Sequence, residues 1–151
     1  MEAYFDNSAT TIVTDSVKDI VVKTMTEDFG NPSAMHMVGV KAEKYIKEAQ
    51  ENIAKILKVD PKEIFFTSGG TESNNMAIIG TAMANKRKGN KIITTSVEHS
   101  SVLATMKYLE EQGFEVIYLP VDRYGVVQME ALEKEMTEDT ILVSTMYVNN
   151  E

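Results

Sequence analysis

The chain has 151 residues, 43% hydrophobic and 25% charged, with 8 Gly, 3 Pro and no Cys. This is the usage of an ordinary globular domain and excludes collagen, mucin and disordered tails; without thiols, a disulfide scaffold, a thiolate zinc site, an iron–sulfur cluster held by this chain and a cysteine nucleophile of its own are excluded too. Fifteen Lys and Arg against 23 Asp and Glu leave a net charge of −8, a surface that repels phosphate backbones, so neither nucleic acid nor an anionic membrane is an expected partner.

Met1 to Thr11 opens with the acidic Glu2 and Asp6, not the basic and then greasy pattern of a secretion signal, and no apolar run approaches the roughly 18 residues of a membrane span. A cytoplasmic protein is expected. A first helix is predicted from Asp15, a candidate N-cap, to about Glu27, with Val17, Ile20, Val21, Thr24 and Met25 on one face. Gly30-Asn31-Pro32-Ser33 breaks the chain, and a longer helix follows to about Leu57. There Ala42, Ile46, Ala49, Ile53, Ile56 and Leu57 recur at helical spacing, while Lys44, Lys47, Glu48 and Glu51 take the wet side.

From Glu63 onward, runs of strand length alternate with amphipathic segments. Strands are predicted at 64–67, 91–95, 114–119 and 140–145, and helices at 71–85, 100–112 and 129–136. Ile92-Ile93 and Ile141-Leu142-Val143 are continuous apolar runs, as in strands covered on both faces. The order predicts an α/β fold, a predominantly parallel sheet with right-handed helical crossovers. Ligands of such sheets sit beyond the carboxyl ends of the strands. No repeat, low-complexity tract or linker marks an internal domain boundary.

The loops at that rim carry the chemistry. Ser68-Gly69-Gly70-Thr71-Glu72-Ser73 leads into a helix whose free N–H groups and partial positive charge could seat a phosphate; the same run also reads as an ordinary turn in which Thr71 or Ser68 only caps the helix. It is neither a P-loop nor a dinucleotide fingerprint. His99, one of two histidines, follows the strand 91–95, where an imidazole can stack on a planar ring, move a proton, or simply cap the next helix. Asn149 and Asn150 follow the last strand, as uncharged hydrogen-bonding amides or as turn residues. The ten Met read as core fillers, and two His without Cys argue against a transition-metal site.

Several stretches together resemble one family: Tyr4-Phe5-Asp6-Asn7-Ser8-Ala9-Thr10-Thr11; Phe29-Gly30-Asn31-Pro32-Ser33 with His36 and Gly39; Phe66-Thr67-Ser68-Gly69-Gly70-Thr71-Glu72-Ser73-Asn74-Asn75; Ile92-Ile93-Thr94-Thr95 with Glu98-His99; Gly113-Phe114-Glu115-Val116; and Asp139 to Ser144 with Val148-Asn149-Asn150-Glu151. The sequence resembles the amino-terminal portion of cysteine desulfurases of the NifS/IscS type, class V aminotransferase-like enzymes that use pyridoxal 5'-phosphate and have fold type I. The resemblance implies a partial large domain of that architecture over 17–151 and an amino-terminal segment, 1–16, bordering the substrate pocket.

Carried over residue by residue, it implies that Gly70 and Thr71 hold the cofactor phosphate and that His99 stacks on the pyridine ring and handles protons. Asn150 would bond the ring's phenolic oxygen, and Ala9 to Thr11 and Asn31 would border the pocket; His36 is expected to be structural. The family's Schiff-base lysine, its ring-nitrogen aspartate, its persulfide-forming cysteine and its substrate-clamping arginine have no counterpart in these residues, and Lys86, Lys88 and Lys91 fall outside the lysine motif. The implied activity is conversion of L-cysteine to L-alanine with sulfur passed to an iron–sulfur scaffold protein, and these residues alone are expected to be inactive. A homodimer or a complementing chain is the implied partner. A related aminotransferase or selenocysteine lyase, and a non-catalytic dimerisation module, are the alternatives.

Overall fold

A computed structural model describes residues 3–7 and 9–149. The chain divides between Phe66 and Thr67 into two compact units.

The first unit holds α1 (Asp15–Thr26), α2 (Met37–Leu57) and a single 3-10 turn, Pro61–Glu63. The N-cap of α1 is Thr14, one residue ahead of the expected Asp15, which instead sits in the first turn, where its negative charge suits the helix dipole. At the start of α2, His36 is the N-cap, and its Nδ1 accepts from the Gly39 N–H at 3.3 Å. The Gly30–Ser33 break folds back tightly on this helix start: a Cβ at Gly30 would collide with the Val38 carbonyl, and one at Gly39 with the carbonyl of Ala34. The amphipathic stripes appear as predicted, yet they are thinly covered. No residue of α1 is buried, and in α2 Ile56 is 79% and Leu57 60% exposed.

What joins α1 to α2 is polar. Asp28, just past α1, is buried, with Lys41 Nζ 2.5 Å from Oδ1 and the Tyr45 hydroxyl donating to Oδ2 at 2.5 Å; Lys23 stands 3.9 Å away. Lys41 and then Tyr45 hold the Asp28 carboxyl below its ordinary value despite desolvation, and the same pairing raises the Lys41 ammonium. A truncated partner would leave a buried carboxylate uncompensated.

The second unit contains α3 (Gly70–Asn85), β1 (Lys91–Thr95), α4 (Ser100–Glu111), β2 (Glu115–Leu119), α5 (Met129–Glu135) and β3 (Thr140–Val143). The sheet is wholly parallel, in the order β2-β1-β3. Its central strand explains the continuous apolar run: Ile92, Ile93, Thr94 and Thr95 are all buried. Ile92 meets Ile78 and Ala82 of α3, Val102, Met106 and Leu109 of α4, and Phe114 in one core cluster. Three of the four predicted strands form. The run 64–67 does not: Ile64 is extended, but its carbonyl is taken by Gln50 Nε2 at 2.9 Å, and Phe65 and Phe66 are largely exposed. An extended apolar run becomes a strand only when a partner supplies a ladder.

The sign of the Asp28 linkage follows from those shifts. A carboxyl held low contributes stability that is present above its unfolded value and lost as pH falls through the folded one; a raised ammonium contributes stability present below its unfolded value and lost as pH rises through the folded one. Asp28→Asn is therefore expected to lower the stability of the first unit at neutral pH and to flatten both its acid and its alkaline limbs in denaturant unfolding followed by helical circular dichroism. An acid limb unchanged in the variant would show that the cluster carries no stability.

Candidate functional site

The helix that could seat an anion is α3. Its N-cap is Gly69, not Thr71 or Ser68, and its first intrahelical bond runs from the Ser73 N–H to the Gly69 carbonyl at 3.1 Å. Among the described residues, nothing accepts from the N–H groups of Gly70 and Thr71. Both residues are exposed, and a Cβ at Gly69 or Gly70 would meet nothing within 4 Å. The turn is open, with donors and the positive end of a 16-residue helix facing that space. The nearest negative charge, Glu72, is occupied locally: its Oε2 accepts from the Ser68 N–H at 2.6 Å and the Ser68 hydroxyl at 2.7 Å. These bonds, the hydroxyl first, hold its carboxyl below the ordinary value. Thr67 Oγ1 lies 2.6 Å from Ser73 Oγ, so the hydroxyls flanking the turn bind each other.

The second contribution leaves the carboxyl end of β1. Glu98 is buried, and its Oε1 accepts from the Thr95 hydroxyl and from the Met146 N–H, both at 2.8 Å. Asn149 Nδ2 donates to the Val97 carbonyl at 3.0 Å. Two bonds therefore stitch the segment beyond β3 onto the loop that carries His99. His99 itself caps α4, its Nδ1 accepting from the Ser101 N–H at 3.2 Å. Capping and a site role coexist, because the imidazole is exposed and the cap engages one ring nitrogen only.

The third element of the arrangement joins the helix starts. Asn74 Nδ2 in the first turns of α3 donates to Ser101 Oγ in the first turn of α4 at 2.9 Å, and Asn75 accepts from Thr105 one turn on. The N-termini of α3 and α4 thus lie side by side at one end of the sheet. The structure brings Gly70, Thr71, His99 and the Asn149 loop to a single rim, whereas Asn150 lies outside the described residues. Ala9, Thr10, Thr11 and Asn31 belong to the first unit; there Ala9 and Thr10 donate to the Asp6 carbonyl, and Asn31 Oδ1 accepts from the Ser33 N–H. Among the described residues, no group of three His, Asp or Glu gathers as a metal site, and no helix is long and apolar enough to cross a membrane.

Residues 3–151 match the sequence profile of the class-V aminotransferases. The chain belongs to that family. It is 49% identical over 148 residues to cysteine desulfurase IscS 1 of Archaeoglobus fulgidus, covering 98% of this chain and 39% of that protein. Against cysteine desulfurase IscS of Methanosarcina thermophila it is 51% identical over 148 residues, covering 98% and 37%. Among solved structures, a NifS-like protein superposes with a TM-score of 0.93 at 48% identity, over 100% of this chain and 42% of that one. SspA in complex with cysteine superposes with a TM-score of 0.89 at 40% identity, over 98% and 43%. The chain spans well under half the length of the relatives it matches.

The rim fits the coenzyme of this class-V aminotransferase family. An open turn with two N–H donors that have no partner among the described residues suits a phosphate monoester, and an exposed imidazole fixed at one nitrogen suits a stacked pyridine ring. His99 and the glycine turn stand out in the sequence, whereas Glu98, Asn74 and Ser101 do not: the bonds that matter at each are to residues 27 or 48 positions away.

Glu98→Ala is expected to release Met146: losing a bond to a charged acceptor speeds hydrogen exchange at its amide about 10- to 100-fold, with β1 amides unchanged. Glu98→Gln, whose amide oxygen still accepts, restores most of the protection. Met146 exchange unchanged in Glu98→Ala would mean that the loop is held without the carboxylate.

Proposed function

We propose that these 151 residues are the amino-terminal portion of a pyridoxal 5'-phosphate-dependent cysteine desulfurase, an enzyme that converts L-cysteine to L-alanine and passes the sulfur, as an enzyme-bound persulfide, to an iron–sulfur scaffold protein in the cytoplasm. The observation that carries the reading is the shared rim: three hydrogen-bonded segments present an open anion seat, an exposed imidazole and a side-chain amide together. When bound, the coenzyme supplies an electron sink for the substrate's α-carbon. Gly70 and Thr71 would hold its phosphate with their backbone N–H groups. His99 would stack on its ring and hold or move a proton at Nε2, the nitrogen its cap leaves free. By the family resemblance, Asn150 would donate to the phenolic oxygen.

The chain contains no cysteine, so the persulfide sulfur must be carried elsewhere, and no lysine here falls in the family's lysine motif. These residues alone therefore do not run the reaction and act with a further segment, in the same chain or in a complementing one. The exposed apolar stripes of α1 and α2 support a partner surface, including a homodimer.

Incubating the 151-residue chain with pyridoxal phosphate, reducing with borohydride and digesting is expected to give no single stoichiometric pyridoxyl-lysine peptide, and cysteine is expected to yield no alanine. Adding the complementary segment of a relative is expected to produce a yellow absorbance band and alanine release, both lost in His99→Ala. A stoichiometric lysine label or alanine formation by the isolated chain would overturn the proposed division of labour. A mixture that stays colourless would count against the cofactor site itself.

A further inference from the structure

His99 meets more than a helix cap. Ser101 Oγ lies 2.8 Å from His99 Nδ1, in addition to the Ser101 N–H at 3.2 Å, and Asn74 Nδ2 donates to the same Oγ at 2.9 Å. The direction of this relay is fixed from both ends: the Ser101 N–H can only donate, so Nδ1 is an acceptor, and Asn74 Nδ2 can only donate to Ser101 Oγ. An amide nitrogen only donates, so Ser101 Oγ accepts from Asn74 with a lone pair and its own proton is free to be given on. The acceptor in reach is His99 Nδ1. Two donors, the Ser101 N–H and O–H, then converge on Nδ1, which carries no proton in the neutral ring. Ser101 is buried, so water competes poorly for its hydroxyl, while the imidazole remains exposed.

We propose that Asn74 and Ser101 are positioning residues that form a directed hydrogen-bond relay from α3 to α4 and hold His99 as the Nε2–H tautomer, with its ring orientation set. The tautomer of an imidazole is decided by the bond its other nitrogen makes. Here that bond comes from Ser101 of the same helix, whose hydroxyl is held in turn by Asn74 of α3, so the donor offered to a bound molecule depends on a residue, Asn74, whose bond is to Ser101 and not to the ring. Its relevance to catalysis rests on the reading of His99 as the ring-stacking group; the relay itself does not. His36 provides an internal reference: its Nδ1 also accepts from a backbone N–H, that of Gly39, but among the described residues no hydroxyl joins it.

The test is nitrogen NMR of the full 151-residue chain labelled at histidine, without coenzyme, at about pH 8.5, two units above the ordinary imidazole value of about 6.5. His99 is expected to show a pyridine-like Nδ1 and a pyrrole-like Nε2. Ser101→Ala is expected to lower the ratio of Nε2–H to Nδ1–H tautomer about five-fold, the loss of one neutral hydrogen bond. Asn74→Asp replaces the donor with an acceptor, so the hydroxyl turns to the new carboxylate and offers its lone pair to Nδ1. The ratio is then expected to fall about ten-fold or more, as a charged acceptor binds more strongly. In the Ser101→Ala background, Asn74→Asp should add nothing, because the link is already cut. His36 stays unchanged throughout, and β1 amide shifts report that the second unit remains folded. Insensitivity of the His99 tautomer to Asn74→Asp, or simple additivity of the two substitutions, would overturn the relay. A colourless complementation mixture would instead remove the cofactor reading and leave the relay standing.

Discussion

The rim depends on burial of β1. As the middle strand of a parallel sheet it is covered on both faces, with Ile92, Ile93, Thr94 and Thr95 all out of solvent, so its carboxyl end has little freedom. The residues that follow are fixed in sequence from that anchor: Thr95 donates to Glu98, Glu98 receives Met146, His99 caps α4 and Ser101 reaches back to α3. A core of aliphatic side chains thus determines where a set of polar groups stands. Glu98 Oε1 bonds two separate segments at once, whereas the buried Thr94 hydroxyl finds no partner among the described residues.

How much was legible in the sequence follows from the kind of signal each feature carries. β1 was legible to the residue because a parallel strand buried on both faces has a continuous apolar run, and α2 because its period is helical over 21 residues. The run 64–67 has the same local signature as β1 and forms no ladder, since pairing is a property of two segments and only one is visible in a window. At the site, the glycine turn and His99 were visible as residue types at strand exits. Asn74, Ser101 and Glu98 were not, because their importance lies in partners 27 and 48 residues away. Sequence separation of that size leaves no periodic trace.

The two units differ in what covers their apolar faces. The second unit has a connected cluster built on Met106 and Leu109, both fully buried, whereas in the first the buried hydrophobic residue is Ala54 alone among the described ones. At roughly 25 cal/mol per Å² of apolar surface removed from water, half-exposed stripes such as Val17, Ile20 and Val21 on α1 contribute little within the unit itself. Amphipathic periodicity identified which face of each helix is apolar and was silent about what lies against it. The Asp28 cluster compensates locally, joining two helices through a buried carboxylate where hydrocarbon contact is sparse.

Both histidines of this chain begin helices, and the comparison separates capping from a site role. In each, Nδ1 accepts a backbone N–H, which satisfies one of the orphan donors of a helix start. If capping were the whole account, the two would be equivalent. They are not: His36 caps from a tight turn whose glycines are crowded by carbonyls, while His99 caps beside an open turn whose glycines face empty space and draws a second contact from a buried serine. A cap uses one nitrogen and leaves the ring face and the other nitrogen unspent, so a capping histidine is already oriented for chemistry. Whether that orientation is put to use depends on what surrounds the free side, and the helix bonded to that of His99 starts in an open turn.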